Sequence, residues 1–454
     1  VSAIQWIQQA RLIDPVTATD RRADVLVVEG CIRAIASTLT QSDIPETAEV
    51  IAGHGQILAP GLVDLYSHGD DPGHESRETF DSLMAAAIAG GITHLGLLPT
   101  TEPPVDDAAM VQQLLSRRQQ RSRQQLTPHL YLWGALTRQG QGQQMSDLAE
   151  LAAAGVVGFS DGTPLPQILL LRRLLEYGQS LGKPVALWPC DRTLRADGVV
   201  RDGAAALSHG LVGQPVCVET AALAALLECA ADLNLPLHIM RVSTKRGVDL
   251  IRQAKAAGIA ITASTTWHHL VCNSQALGSY DPCLRLEPPL GNPSDQAALI
   301  AGVQQGTIDA VAIDHTPYTY EEKTVAFSAA PPGAIGLELA LPVLWHTLVE
   351  PGHWSALTLW RCLSTAPAQC WGQPPATLQR GHAADMVLFN PQASWTVTAK
   401  TLKSAATNTA WLGQTISGQV QRLWIPRDVE EMGEDGRRRT EDGRRRTEDR
   451  GDGV

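Results

Sequence analysis

Between about Ile57 and Tyr318, short and nearly continuous apolar runs alternate with stretches whose apolar residues recur every three or four positions. The runs are ILAPGLVDLYSH (57–68), GITHLGLLPT (91–100), HLYLWGAL (129–136), GVVGFS (155–160), PVALWP (184–189), LPLHIMRVST (235–244), GIAITAST (258–265) and DAVAIDHTP (309–317). A glycine that reads as a helix stop precedes several of them, as in Ala89-Gly90-Gly91, Ala154-Gly155 and Ala257-Gly258. The stretches between have helical spacing: Ala222, Leu226, Cys229 and Leu233 fall on one stripe, as do Leu250, Ala254 and Ala257. Apolar strands each followed by a helix mean a buried parallel sheet. Eight of them predict an α/β protein with a (β/α)8 TIM barrel over residues 57–375.

The two ends carry a different pattern. Residues 1–56 hold DVLVVEG and CIRAIAS around a glycine turn, then AEVIAG; residues 376–426 hold ADMVLFN, SWTVTA and QVQRLWI. These alternating pieces predict strands that pair into one small composite β-sandwich domain built from both termini. From Arg427 to Val454 the chain changes again: EDGRRRT at Glu434–Thr440 is repeated at Glu441–Thr447, with almost no apolar residue around it. Such a stretch cannot offset its ordering entropy by burial, which predicts a disordered, solvated and dispensable tail. The acids interleaved with its Arg triplets weaken any anion-binding field.

Charge and composition narrow the function classes. With 36 Lys+Arg against 47 Asp+Glu the formal charge is −11, which argues against nucleic acid as partner. No apolar run reaches the roughly 18–20 residues of a membrane span, and the opening VSAIQWIQQARLID lacks a basic-then-apolar signal pattern. The 8 cysteines are scattered without a C-x-x-C, so reduced thiols in a cytoplasmic protein are expected. The 13 histidines leave metal chemistry open, and their positions decide it.

A barrel carries its reactive groups at the C-terminal ends of its strands. Those ends read Tyr66-Ser67-His68 followed by Gly69-Asp70-Asp71, then Pro99-Thr100-Thr101, Ser160-Asp161-Gly162 and Trp188-Pro189-Cys190-Asp191. Met240-Arg241-Val242, Trp267-His268-His269 and Asp314-His315-Thr316-Pro317-Tyr318 follow. The segments PGLVDLYSH, DDPGHESRETF, GGITHLGLLPTT, VVGFSDG, LHIMRVST, TTWHHL, AIDHTP and APPGAIGLE stand in that order. Through them the chain resembles the class I type dihydroorotases, in the cyclic-amide branch of the amidohydrolase superfamily, over about residues 1–425.

The resemblance implies a barrel of the metal-dependent hydrolase type. It further implies reversible hydrolysis of dihydroorotate to carbamoyl aspartate, in pyrimidine biosynthesis, with one or two zinc ions. Zinc polarises the ring carbonyl and lowers the pKa of its bound water from 15.7 to about 7. Carried over residue by residue, the family's ligand set is depleted. Its H-x-H pair is Tyr66 and His68, its bridging carboxylate Asp161, and its two later histidines Trp188 and Arg241; Asp314 matches the catalytic Asp that shuttles the proton. Tryptophan offers no lone pair through its N–H and arginine none at all, so His68, Asp161 and Asp314 are the remnant metal positions. Arg241 could instead pair with Asp161 or Asp314. At the substrate positions the family's arginine falls on Asp70, its two asparagines on Thr100 and Glu287, and a histidine on Tyr318. The loop Pro331-Pro332-Gly333-Ala334 keeps the family pattern, with Pro331 and Gly333 as substrate-binding candidates.

Structural roles compete for the other polar residues. His268 and His269 are adjacent and on a strand would face opposite ways. His238 and His315 read as core histidines, Cys190 as a free buried thiol, Asp70 and Asp71 as solvated or helix-capping acids, and Trp188 as filler for the space of a lost metal and imidazole. The favoured reading is a catalytically degenerate dihydroorotase homologue with a structural or assembly role and no cofactor. Its partner by resemblance is aspartate carbamoyltransferase, and a homo-oligomer is also open to it. The alternative is an active dihydroorotase or related cyclic-amide hydrolase with an unusual site and zinc.

Overall fold

The computed structural model describes residues 4–40, 44–164 and 168–426, and the repeat tail expected from Arg427 lies outside the described residues. The N-terminal segment supplies β1 (Ile4–Asp14), β2 (Thr19–Val28), β3 (Cys31–Ala36), β4 (Glu49–Ala52) and β5 (Ile57–Pro60). Glu29 and Gly30, both at positive φ, close the β2–β3 hairpin between the paired Val28 and Cys31, as a tight two-residue turn requires.

Four parallel strands follow in order: β6 (Leu62–Ser67), β7 (Ile92–Leu97), β8 (His129–Gly134) and β9 (Gly158–Phe159). A second parallel set comprises β10 (Ala186–Leu187), β13 (Leu237–Ile239), β14 (Ile261–Thr266) and β15 (Ala310–Ala312). Between β10 and β13, β11 (Val200–Arg201) and β12 (Gly213–Gln214) make a small ladder of their own. The two half-barrels meet at both seams. On one side Phe159 N donates to Pro184 O at 2.9 Å; on the other Asp314 N donates to Tyr66 O at 3.1 Å and His68 N to His315 O at 2.9 Å. Asp64, fully buried, fastens the second seam by accepting from Ile313 N at 2.9 Å.

Each of the eight apolar runs contributes one of these strands, but the first run is divided. Residues 57–60 pair with β1 and, antiparallel, with β16 (Met386–Thr396), and the parallel set begins at Leu62. The first run thus serves two sheets, divided at Gly61. A Cβ there would lie 2.2 Å from Thr93 Oγ1 and 2.5 Å from Asp385 Oδ1, so only glycine lets the chain pass from one sheet to the other. β16 and β17 (Thr415–Trp424) complete a seven-stranded sheet of order β17-β16-β5-β1-β2-β3, with β4 beside β1, so both ends of the described chain share one sheet.

The helices keep the predicted period, but both stripes shift: helix Lys245–Ala256 buries Val248, Ile251 and Ala254, leaving Leu250 half-buried and Ala257 exposed. Helix Cys217–Leu233 buries Leu223, Leu226, Leu227 and Ala230, one position round from the predicted stripe, because the leucines offer more apolar area than Ala222 or Cys229. The barrel interior is filled rather than open: Leu65, Tyr66, Trp133, Trp188, Met240 and Trp371 pack together. Through this apolar packing runs one polar column. Arg241 N donates to the Tyr66 hydroxyl at 3.1 Å, Tyr66 bonds Ser264 Oγ at 2.8 Å, and Ser264 bonds His238 Nε2 at 2.9 Å. Between β16 and β17 the chain returns to the barrel, where Asn408 bonds Thr316 O and Tyr318 N, and Glu78 and Glu338 receive the backbone of residues 403–405. Among the described residues no helix is long and apolar enough to cross a membrane.

Candidate functional site

The ends of β6, β13 and β15 bring Tyr66, His68, Arg241 and Asp314 to one point at the barrel mouth. Both Arg241 and Asp314 sit in left-handed backbone, at φ 54° and φ 53°. That conformation costs a residue with a Cβ about 1 kcal/mol or more, and here it turns both side chains inward. The guanidinium closes on the carboxylate as a fork: Nε to Oδ2 at 2.9 Å and NH2 to Oδ1 at 2.6 Å. NH1 donates to Gly162 O at 2.9 Å and NH2 also to His68 Nε2 at 3.2 Å. Beneath it lie the rings of Trp188 and Tyr66, with Cζ 5.0 and 5.7 Å from their centroids. Trp188, itself buried, thus serves as a face for the cation.

His68 has one tautomer available. Its Nε2 accepts from an arginine that can only donate, so Nδ1 carries the hydrogen and donates to Thr100 Oγ1 at 3.0 Å. Burial holds the imidazole down at about 4, with Asp314 opposing that shift and Arg241 reinforcing it. A histidine kept neutral in the fold adds stability above its ordinary 6.5, and this is lost as pH falls through about 4. The stability advantage of the protein over a His68→Gln variant should therefore shrink between pH 6.5 and 4, as read by urea unfolding at successive pH values.

Asp161 stands apart. Its Oδ1 accepts from Thr137 N at 2.9 Å and its Oδ2 from Thr137 Oγ1 at 2.6 Å, and burial raises its pKa. Of the two acids open to Arg241, Thr137 has claimed one and the arginine takes the other. Among the described residues no group of three or more His, Cys, Asp or Glu side chains is placed to hold a metal ion.

A cavity of about 260 Å³ opens beside the ion pair. Gly333, with Pro332 and Ala334, lines it; Pro331 does not, and its carbonyl accepts from Lys323 Nζ at 2.7 Å. Thr100, Glu287 and Tyr318 also line it. Asp71 caps Phe80 N at 2.9 Å and is forked by Arg117, which matches its expected role, whereas Asp70 is only 6% exposed and faces the cavity rather than solvent. The His268-His269 pair is helical (Trp267–Val271), not on a strand, and both side chains line the cavity. His238 and His315 are buried and hydrogen-bonded, as read. Cys190 is buried, which pushes its thiol up to about 11 and leaves it a poor nucleophile. The cavity-lining role of His268 had no signal in the pattern, because the chain turns into a helix one residue before it.

Comparison with known proteins agrees with this architecture. Residues 55–247 match the family described as dihydro-orotase-like. A probable dihydroorotase-like protein of Synechocystis sp. is 43% identical over 438 residues, covering 91% of this chain and 97% of the relative. A dihydroorotase of Pelobacter propionicus is 36% identical over 413 residues, covering 91% and 96%. Among solved structures, an L-hydantoinase from Arthrobacter aurescens superposes with a TM-score of 0.78 at 23% identity, over 93% of this chain and 97% of that one. A dihydropyrimidinase from Brevibacillus agri gives 0.75 at 21%, over 93% and 94%, and at such identities the likeness is one of fold. With relatives this similar over nine-tenths of its length, the chain belongs to the dihydroorotase-like family.

Proposed function

We propose that this chain is a dihydroorotase-like protein of pyrimidine biosynthesis whose hydrolytic site is closed, and that it serves a structural or assembly role. The observation that carries the reading is the Arg241–Asp314 fork. A carboxylate gripped on both oxygens by a guanidinium is a poor proton shuttle, since its basic lone pairs are already engaged. In hydrolytic members of the family zinc supplies the nucleophile and polarises the ring carbonyl. The residues present here do not fit that ion. Tyr66 and Trp188 stand for two imidazoles, Arg241 adds a positive charge, Asp161 is engaged by Thr137, and the acceptor nitrogen of His68 faces the arginine.

The partner proposed for the assembly role is an aspartate carbamoyltransferase, which rests on the family resemblance. The sheet made from both chain ends is proposed as the composite domain that closes the barrel. The second reading is an active dihydroorotase or cyclic-amide hydrolase with an unusual site, and the cavity of about 260 Å³, room for a small ring, favours it.

One assay separates them. The purified full chain, supplied with zinc, is tested for dihydroorotate hydrolysis and carbamoyl aspartate cyclisation. No turnover is expected, and Asp314→Asn should change nothing. Turnover with stoichiometric zinc that Asp314→Asn abolishes would overturn the closed-site reading. For the assembly role, the chain mixed with an aspartate carbamoyltransferase should co-elute with it on size exclusion, and separate elution counts against that partner.

A further inference from the structure

The charges around the mouth are unevenly matched. Two cations line the cavity, and both are engaged: Arg241 on Asp314, and Arg77 through Nε to both oxygens of Glu322 at 3.0 Å. Of the three carboxylates lining it, Asp314 holds Arg241 and Glu287 holds Arg195. Asp70 is left over. Its nearest cation is Arg77 NH1 at 3.9 Å, beyond hydrogen-bond reach, and its buried Oδ2 has no partner among the described residues.

His268 is the other lining residue with an unmet group. It is 3% exposed, its Nε2 likewise lacks a partner, and burial keeps its imidazole neutral by holding it down at about 3. Buried polar groups are nearly always paired, so two unpaired ones on a single cavity point to a ligand that pairs them. The aromatic walls have the same preference. Trp188 already carries Arg241 over its ring, and Tyr318 carries both Arg77 at 4.8 Å and Lys323 at 5.0 Å. Aromatic faces attract cations.

We infer that the mouth takes a small organic cation with N–H donors, an ammonium or guanidinium compound, in place of a carboxylate-bearing ring. The inference rests on the closed-site reading, since opening the Arg241 fork would free a guanidinium for an anion. With the fork closed, a carboxylate entering the cavity meets Asp70 and Glu287, and both guanidiniums that line the cavity are already engaged. Burial raises the Asp70 carboxyl to about 7 with Arg77 only at 3.9 Å, so an ammonium or guanidinium group gives it a closer counter-charge that favours its ionised form, and a further N–H can go to the imidazole of His268.

The test is calorimetric titration of the full chain with agmatine, dihydrouracil and dihydroorotate. Agmatine should bind about tenfold or more tighter than dihydroorotate, with uncharged dihydrouracil between them. Asp70→Asn should weaken agmatine binding by about tenfold, whereas Asp70→Glu, which keeps the charge, should retain most of it. A melting curve checks the folding of each variant. If Asp70→Asn fails that check, His268→Phe takes its place and should also weaken agmatine. Loss specific to these variants distinguishes the cavity from general attraction to a chain of charge −11. Tighter binding of dihydroorotate, no binding of agmatine at millimolar concentration, or agmatine affinity indifferent to the variants would overturn the inference and leave the closed-site reading standing. Turnover of dihydroorotate would instead remove the reading on which it rests.

Discussion

Replacing Arg241 with methionine should cost about 3–5 kcal/mol of stability, the usual penalty for breaking a buried ion pair by removing one partner. The guanidinium is 4% exposed and serves three acceptors at once, in Asp314, Gly162 and His68. Methionine fills much of its volume against Trp188 and Tyr66 but leaves the Asp314 carboxylate uncompensated and the Gly162 carbonyl without a donor. Most of the loss is therefore the cost of the stranded partner rather than the worth of the pair. Arg241→Met combined with Asp314→Leu removes that partner too and should recover most of the stability. Urea unfolding of both single variants and the double variant measures the coupling. A loss under about 1 kcal/mol for Arg241→Met would mean that solvent reaches the pair freely.

Glu78→Ala should be nearly as damaging, at about 3–5 kcal/mol, for a different reason. Glu78 is fully buried and gathers four residues from three segments: Ser82 on the helix that follows it, His315 past β15, and Ser404 and Ala405 on the return segment. His315 Nδ1 accepts from Gly336 N, so its Nε2 carries the hydrogen that reaches the carboxylate. Burial alone would push the Glu78 carboxyl up, but His315 and the donors at 404 and 405 outweigh it and hold it lower. Alanine takes this acceptor from His315, Ser404 and Ala405, while Ser82 can still donate to Thr79 O. The amides around residues 404–405 should then exchange hydrogen for deuterium faster, while Glu78→Gln, which keeps one acceptor oxygen, should protect them partly. Unchanged exchange there would show that Glu78 does not hold the segment down.

The eight parallel strands were legible because a strand buried on both faces must be apolar at consecutive positions. The break within 57–68 was not, since β5 and β6 are equally apolar and only the close approach to Thr93 and Asp385 reveals why Gly61 divides them. At the mouth, Tyr66, Trp188 and Arg241 could be read as substitutions, yet the acid Arg241 would choose stayed open. Thr137, 24 residues upstream of Asp161, made that choice, and such a contact leaves no periodic trace. Asp70 was read as solvated because its neighbours in the chain are polar. Its burial comes from residues distant in sequence.

The polar column inside the barrel has a fixed head. Arg241's amide can only give a hydrogen, so the Tyr66 hydroxyl accepts there and has its own hydrogen to give to Ser264, which shares the next hydrogen bond with His238 Nε2. The other ring nitrogen, His238 Nδ1, shares a hydrogen bond with Thr262 Oγ1 at 2.8 Å and ends the column. Burial holds this imidazole down at about 3 and pushes the Tyr66 hydroxyl up, so neither changes charge near neutral pH. A proton travelling along such a chain would leave every link reversed, and the amide at its head cannot reverse. The axis of this barrel therefore works as a polarised strut that anchors the Arg241 backbone, and it is closed to proton conduction between the two ends of the fold.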